Sequence, residues 1–204
     1  GAFLPQTVMQ GITFLALIGT VISAFAAQIS APRPSTEEQQ FGFAQSLYRQ
    51  EDWFRAIGEL KRFSFSFPES SRAGQAAFLS AKSYFYGEKY SLAEAAFRPL
   101  LGTPQFGAPA HLYLADLARR RGDLARAGTE LGAVTGPLTL QELARFRTAW
   151  LQVDAGHWRE AKVELAAFAA AYPRSALLDD QRAATMVLDH LLEWQPRQEW
   201  LAFL

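Results

Sequence analysis

Cysteine is missing from all 204 residues. That absence removes disulfides, thiolate nucleophiles, cysteine-ligated zinc and iron–sulfur clusters together, along with the lipid-attachment cysteine of a bacterial lipoprotein. Net charge is missing as well. Lys+Arg and Asp+Glu number 20 each, so nothing draws the chain as a whole to nucleic acid or anionic lipid. Histidine is scarce: His111, His157 and His190 lie far apart, in neither His-x-x-x-His nor His-Glu-x-x-His spacing, and a metal site is not expected. No Gly-x-Ser-x-Gly, phosphate loop or dinucleotide fingerprint occurs, so neither catalysis nor a cofactor is expected. Sustained apolar–polar alternation is also absent, which predicts almost no sheet.

Charge of either sign is absent from the first 32 residues; the first ionised side chain is Arg33. Residues 11–29 are mostly apolar, and as a helix they would be roughly 28 Å long, enough to cross a bilayer. Three readings stand side by side. The stretch is a secretory signal with a small-x-small cleavage site at Ala24-Phe25-Ala26, an uncleaved transmembrane anchor, or an apolar helix buried in the fold. Either of the first two places the following domain in the periplasm or an equivalent space, held to the inner membrane through residues 11–29 in the second. Residues 30–37 read as a linker, because Pro32 and Pro34 restrict their neighbours to extended backbone. Ser35 or Thr36 before Glu37-Glu38 then reads as a helix N-terminus.

What the rest of the chain does contain is repetition. Four turns are each followed by a small residue in one register: Asp52-Trp53-x-x-Ala56, Lys89-Tyr90-x-x-Ala93, Asp123-Leu124-x-x-Ala127 and His157-Trp158-x-x-Ala161. The alanines are spaced 37, 34 and 34 residues apart. Four positions after them come Leu60, Phe97, Leu131 and Leu165; twelve before them come Ala44, Ala81, Ala115 and Ala149. Paired small residues let two antiparallel helices approach closely, and the bulky neighbours fill the seam. Gly87, Gly122 and Gly156 offer the left-handed backbone that ends a first helix, and Pro68, Pro104 and Pro173 stop the second. A lone hairpin of this kind cannot bury its apolar face, so the units must stack.

Residues 38–173 on this register resemble the tetratricopeptide repeat family, which implies an all-α solenoid of about four hairpins. The closures Phe67-Pro68-Glu69-Ser70 and Tyr172-Pro173-Arg174-Ser175 are similar to those of its periplasmic branch, which includes Tol–Pal-associated and outer-membrane-assembly members. Unit four departs from the pattern with Arg145 and Gln152 at seam positions. Residues 174–204 read as a capping helix, Ser175 to Leu192, and a tail whose apolar end suggests that the natural chain continues.

The resemblance implies that the first helices line a concave surface and that the protein is a non-catalytic scaffold gripping another envelope or membrane protein. The alternative is a structural accessory subunit of a larger membrane complex, with the apolar N-terminal helix packed among its spans. Projection of the register puts Phe41, Gln45 and Tyr48 on that surface from unit one, and Phe78, Lys82, Phe85 and Tyr86 from unit two. Leu112, Asp116 and Arg119 follow from unit three, and Phe146, Trp150 and Val153 from unit four. So aromatic a groove suits an apolar, extended or helical partner segment. Otherwise these rings are core, or the N-terminal helix covers them. The run Arg119-Arg120-Arg121 either complements the negative end of a helix or binds a carboxylate or phosphate on a partner.

Overall fold

The computed structural model describes residues 36–201. The apolar segment 1–29 and nearly all of the linker lie outside the described residues. Among those residues no helix is long and apolar enough to cross a membrane.

Nine α-helices follow one another, and no strand occurs among the described residues. Unit one pairs α1 (Glu37–Arg49) with α2 (Trp53–Ser66), and unit two pairs α3 (Ala73–Tyr86) with α4 (Tyr90–Phe97). Unit three pairs α5 (Gly107–Arg120) with α6 (Leu124–Gly132), and unit four pairs α7 (Leu138–Asp154) with α8 (Trp158–Ala171). The last helix, α9 (Leu178–Leu201), packs on α8 and covers the array. Each helix packs on the next, and the first helices of neighbouring units also touch, α1 on α3 and α5 on α7. This is the expected solenoid of four hairpins and a cap.

The packing follows the register. All eight aligned alanines are buried, and so are Leu60, Phe97, Leu131 and Leu165. The helix starts are chemically marked: Thr36 Oγ1 accepts from the Gln39 N–H at 3.2 Å, and Asp52 and Asp123 cap α2 and α6 in the same way.

The turns correct one expectation. Gly122 and Gly156 have φ +80 and +77, but Gly87 has φ −78. In units one and two the left-handed position, two residues before the bulky one, is held by Glu51 (φ 60) and Glu88 (φ 58). Gly87 is small for another reason: a Cβ there would meet the Ser83 carbonyl oxygen at 3.0 Å and the Trp53 Cβ at 3.4 Å. Unit two's glycine lets unit one's tryptophan approach.

The Pro closures end α2 and α8 through side chains as well. The Ser70 hydroxyl donates to Glu37 Oε1 at 2.6 Å, and its oxygen accepts the Arg72 N–H at 3.0 Å. Ser175 makes the same pair of bonds, to Glu142 Oε2 at 2.7 Å and from the Leu177 N–H at 3.2 Å. Each serine thus ties the end of its unit back to the start of that unit's own first helix. At the two irregular seam positions of unit four, Arg145 pairs with Glu164 at 2.7 Å and Gln152 bonds His157 at 3.2 Å.

Candidate partner-binding groove

Three register positions on the first helices were expected to line one face, and the structure separates them. Three residues before the alanine stand Phe41, Phe78, Leu112 and Phe146. At that offset a helical side chain leans into the seam with the second helix. Phe41 packs on Phe63 with ring centroids 5.1 Å apart, and Phe146 on Phe168 at 5.5 Å. Both are core residues, 3% and 8% exposed, and neither lines the groove. Leu112 and Phe85 are also buried but reach the groove floor with one edge.

Two adjoining depressions form between α3, α5 and α7. The first, about 370 Å³, is lined by Phe78, Phe85, Tyr86, Leu112, Tyr113 and Arg147 among others. The second, about 340 Å³, is lined by Arg119, Trp150 and Leu151 among others. Asp116 and Arg147 border both, so the two adjoin and are treated together as the groove. Of the residues one after the alanine, Asp116 and Trp150 line it, and Lys82 lies over Phe78 and Tyr86 at its edge. Tyr48 lies farther along the same face, beneath Lys82.

Its apolar floor is a nest of rings. Tyr113 stacks on Phe97 at 4.8 Å and 8° between planes, and Phe78 stacks on Phe106 at 5.1 Å. The Tyr113 hydroxyl lies 3.1 Å from that of Tyr86. Burial first, and then the bond to Tyr86, push the Tyr113 phenol well above its ordinary range, so it stays neutral.

The charges are unequally satisfied. Asp116 pairs with Arg119 at 3.5 Å and Arg120 at 3.4 Å, and Arg119 bonds Asp154 at 3.0 Å. The bond to Asp154 is the largest influence on Arg119 and raises its already high pKa; partial burial opposes it. Arg120 also reaches the Tyr90 hydroxyl at 3.3 Å, and Arg121 bonds Glu94. The arginine run therefore stitches unit three to unit two on one side and unit four on the other, through carboxylates of this chain.

Two cations are different. Lys82 Nζ sits over the rings of Tyr48 (5.1 Å), Phe78 (5.8 Å) and Tyr86 (6.0 Å), and Arg147 Nη1 donates to the Leu112 carbonyl at 3.2 Å. Among the described residues neither has an acidic partner within ion-pair distance. The groove's acids are engaged by arginines of the chain, while Lys82 and Arg147 remain available.

Tyr113 and Arg147 went unnoticed in the sequence although the signal was present. They occupy one register position, two residues before the alanine, where units one and two carry Gly42 and Leu79. As for other chemistry, His111 bonds Glu130 at 2.7 Å, and the described residues hold no group of three His, Asp or Glu placed for a metal.

Residues 143–175, which take in most of unit four, match the model of the tetratricopeptide repeat family. The matched stretch contains the Arg145 and Gln152 departures, whose seam is closed by polar pairs. The match concerns the repeat and not any one branch of the family. No curated protein matches the chain.

Proposed function

We propose that the chain, whose residues 143–175 match a repeat family that generally mediates protein–protein interaction and is typically non-catalytic, is an interaction scaffold of the bacterial cell envelope. Its groove takes a segment of another envelope or membrane protein. The observation that carries this reading is the pair Lys82 and Arg147, without acidic partners among the described residues and set around a ring-lined floor. A segment placing an apolar side chain on Phe78 and Tyr113 and a carboxylate between Lys82 and Arg147 satisfies both.

The envelope location is supported by the charge-free residues 1–32, whose 11–29 stretch suits a signal or an inner-membrane anchor for a periplasmic domain. The closures at Phe67–Ser70 and Tyr172–Ser175 favour the periplasmic branch of the family within this proposal.

Photo-crosslinkers placed at Trp150 and at Thr129, which lies on the second helix of unit three, test the groove in native cells. The expected result is a discrete adduct from Trp150 alone, lost on Lys82→Glu with Arg147→Glu. An adduct of unchanged yield in the charge-reversed variant sinks the groove assignment. A second reading, an accessory subunit of a membrane complex, is favoured by Gly11 and Gly19, which would permit close helix approach in the apolar segment. A stoichiometric complex that survives mild detergent but not replacement of residues 11–29 would select it.

A further inference from the structure

The outer face of unit one carries a stripe that the repeat does not need. Phe54 and Phe65 on α2 are 88% and 89% exposed. At about 100° and 1.5 Å per residue, eleven positions bring Phe65 within about 20° of Phe54, roughly 16 Å farther along the helix. The two rings therefore project from one side. In register, Phe54 corresponds to Ser91, Ala125 and Arg159 in the later units, and Phe65 to Gly102, Gly136 and Ala170. No later unit places a large apolar side chain at either position, and the hairpins pack all the same.

Beside this stripe, bordered by α2, Tyr84 of α3 and Leu92 of α4, lies a shallow depression of about 550 Å³ with Phe54 on its wall. Four cations border it (Arg55, Lys61, Arg62 and Lys89) and one acid, Glu59, which pairs with Arg62 at 3.9 Å; Arg55 pairs with Asp52 at 3.3 Å, and Lys61 and Lys89 have no acidic partner within ion-pair distance among the described residues. The chain as a whole has zero net charge, so the two unpaired lysines give this face a local excess of positive charge. Leu92, 53% exposed, extends the apolar surface onto α4.

We propose that this face rests on an anionic lipid surface, Phe54 and Phe65 entering the headgroup–acyl boundary while the basic side chains lie among the lipid phosphates. Charge complementarity supports that occupant: exposed rings flanked by long basic side chains match a bilayer interface, where apolar tips and cations are both satisfied. The two rings stand apart on one helix, as a planar fluid surface accepts; a protein hot spot would gather them into one desolvated cluster. Unit one is also the unit nearest in sequence to the charge-free residues 1–32. That part of the argument rests on the membrane-tether reading proposed above.

The test uses the full chain, whose lack of cysteine permits a single label. Gly58 lies on the stripe between the two rings, and Gly132 ends α6 in unit three; a Cβ at either meets nothing within 4 Å. An environment-sensitive fluorophore is attached to Gly58→Cys or Gly132→Cys, and the protein is mixed with vesicles of phosphatidylcholine alone or with added phosphatidylglycerol. The expected result is a blue shift and reduced iodide quenching at Gly58→Cys with phosphatidylglycerol. Gly132→Cys should show no change, and Phe54→Ser with Phe65→Ser should abolish the response while leaving helical circular dichroism intact. Unchanged emission at Gly58→Cys while the protein sediments with the vesicles overturns the proposal and leaves the tether standing. A response on anionic vesicles without sedimentation on neutral ones sustains the proposal and removes the tether. A blue shift without lipid that grows with protein concentration overturns it in favour of a second copy on this face.

Discussion

Units one and four are built alike, although 105 positions separate Phe41 from Phe146, whereas units two and three keep the register but share neither the aromatic file nor the serine closure of that pair. The outer pair share an aromatic file, Phe41–Phe63–Phe67 and Phe146–Phe168–Tyr172, with centroid spacings of 5.1 and 5.4 Å in one and 5.5 and 5.3 Å in the other. Both close with a serine on the glutamate of their own first helix. In unit two the equivalents of that glutamate and serine are Gly74 and Gly107, and the closure is made by close approach instead. A Cβ on Gly74 would meet the Phe106 ring at 3.0 Å, and one on Gly107 the Leu101 carbonyl oxygen at 2.5 Å. In unit three Gln141 stands at the serine position and bonds the Gly136 carbonyl at 2.7 Å. The middle units are instead held to their neighbours by Glu94 and Asp154, which take arginines of unit three. One repeat geometry is thus closed by internal hydrogen bonds where a unit stands at the end, and by steric contact and inter-unit ion pairs where it stands between others.

The contrast breaks most sharply at Gly107. Gly107→Ala drives a methyl group into backbone and should cost about 2–3 kcal/mol, while Gly132→Ala, with open space at its Cβ, should cost nothing measurable. Urea midpoints compare the two. Equal midpoints would refute the steric closure.

Next in size is Glu94, whose carboxylate collects Arg98 at 2.6 Å, Arg126 at 2.7 Å and Arg121. Burial alone would raise its pKa, but bonds from the three guanidiniums outweigh burial and hold it at about 2 instead of 4.5. The folded state therefore keeps the proton off, and the contribution is complete above pH 4.5 and lost as pH falls toward about 2. Glu94→Gln should cost about 1–2 kcal/mol near neutrality. The wild-type advantage should shrink across that acid window, read as thermal midpoints against pH.

Ser70→Ala and Ser175→Ala should each cost about 1 kcal/mol. Each should be non-additive with Ala at its own glutamate and additive with the other serine, as far-apart sites are. Coupling between the two serines would mean that the end units are not independently closed. The smallest effect is a gain: Glu88→Gly relieves a left-handed residue and should raise stability by about 0.5–1 kcal/mol, visible as a higher thermal midpoint.

The hairpins were legible because each element follows from local volume and period. Eight alanines in register all proved buried. Misread were features that depend on what another unit brings. Gly87 was assigned a turn role, yet it is small because Trp53 packs on it. Phe41 and Phe146 were projected onto the groove, but a helical projection gives only a direction. The partner ring waiting in that direction, Phe63 or Phe168, decided that both are core. For Arg119 to Arg121 the sequence offers a helix end or a partner, and the structure pairs them instead with Asp116, Asp154 and Glu94 of this chain.

The fold class, the four-unit register and the cap were therefore settled by the order of small and large residues, because each copy solves the same packing problem with its own side chains. Which cations remain available to a ligand was decided only by assembly. Arg121 and Arg126 meet Glu94 across 27 and 32 residues, and Arg119 meets Asp154 across 35. Lys82 and Arg147 meet no such acid among the described residues. The attraction of an ion pair weakens with distance and strengthens as the pair leaves water, so which of the groove's charges are neutralised is decided only once the units are stacked.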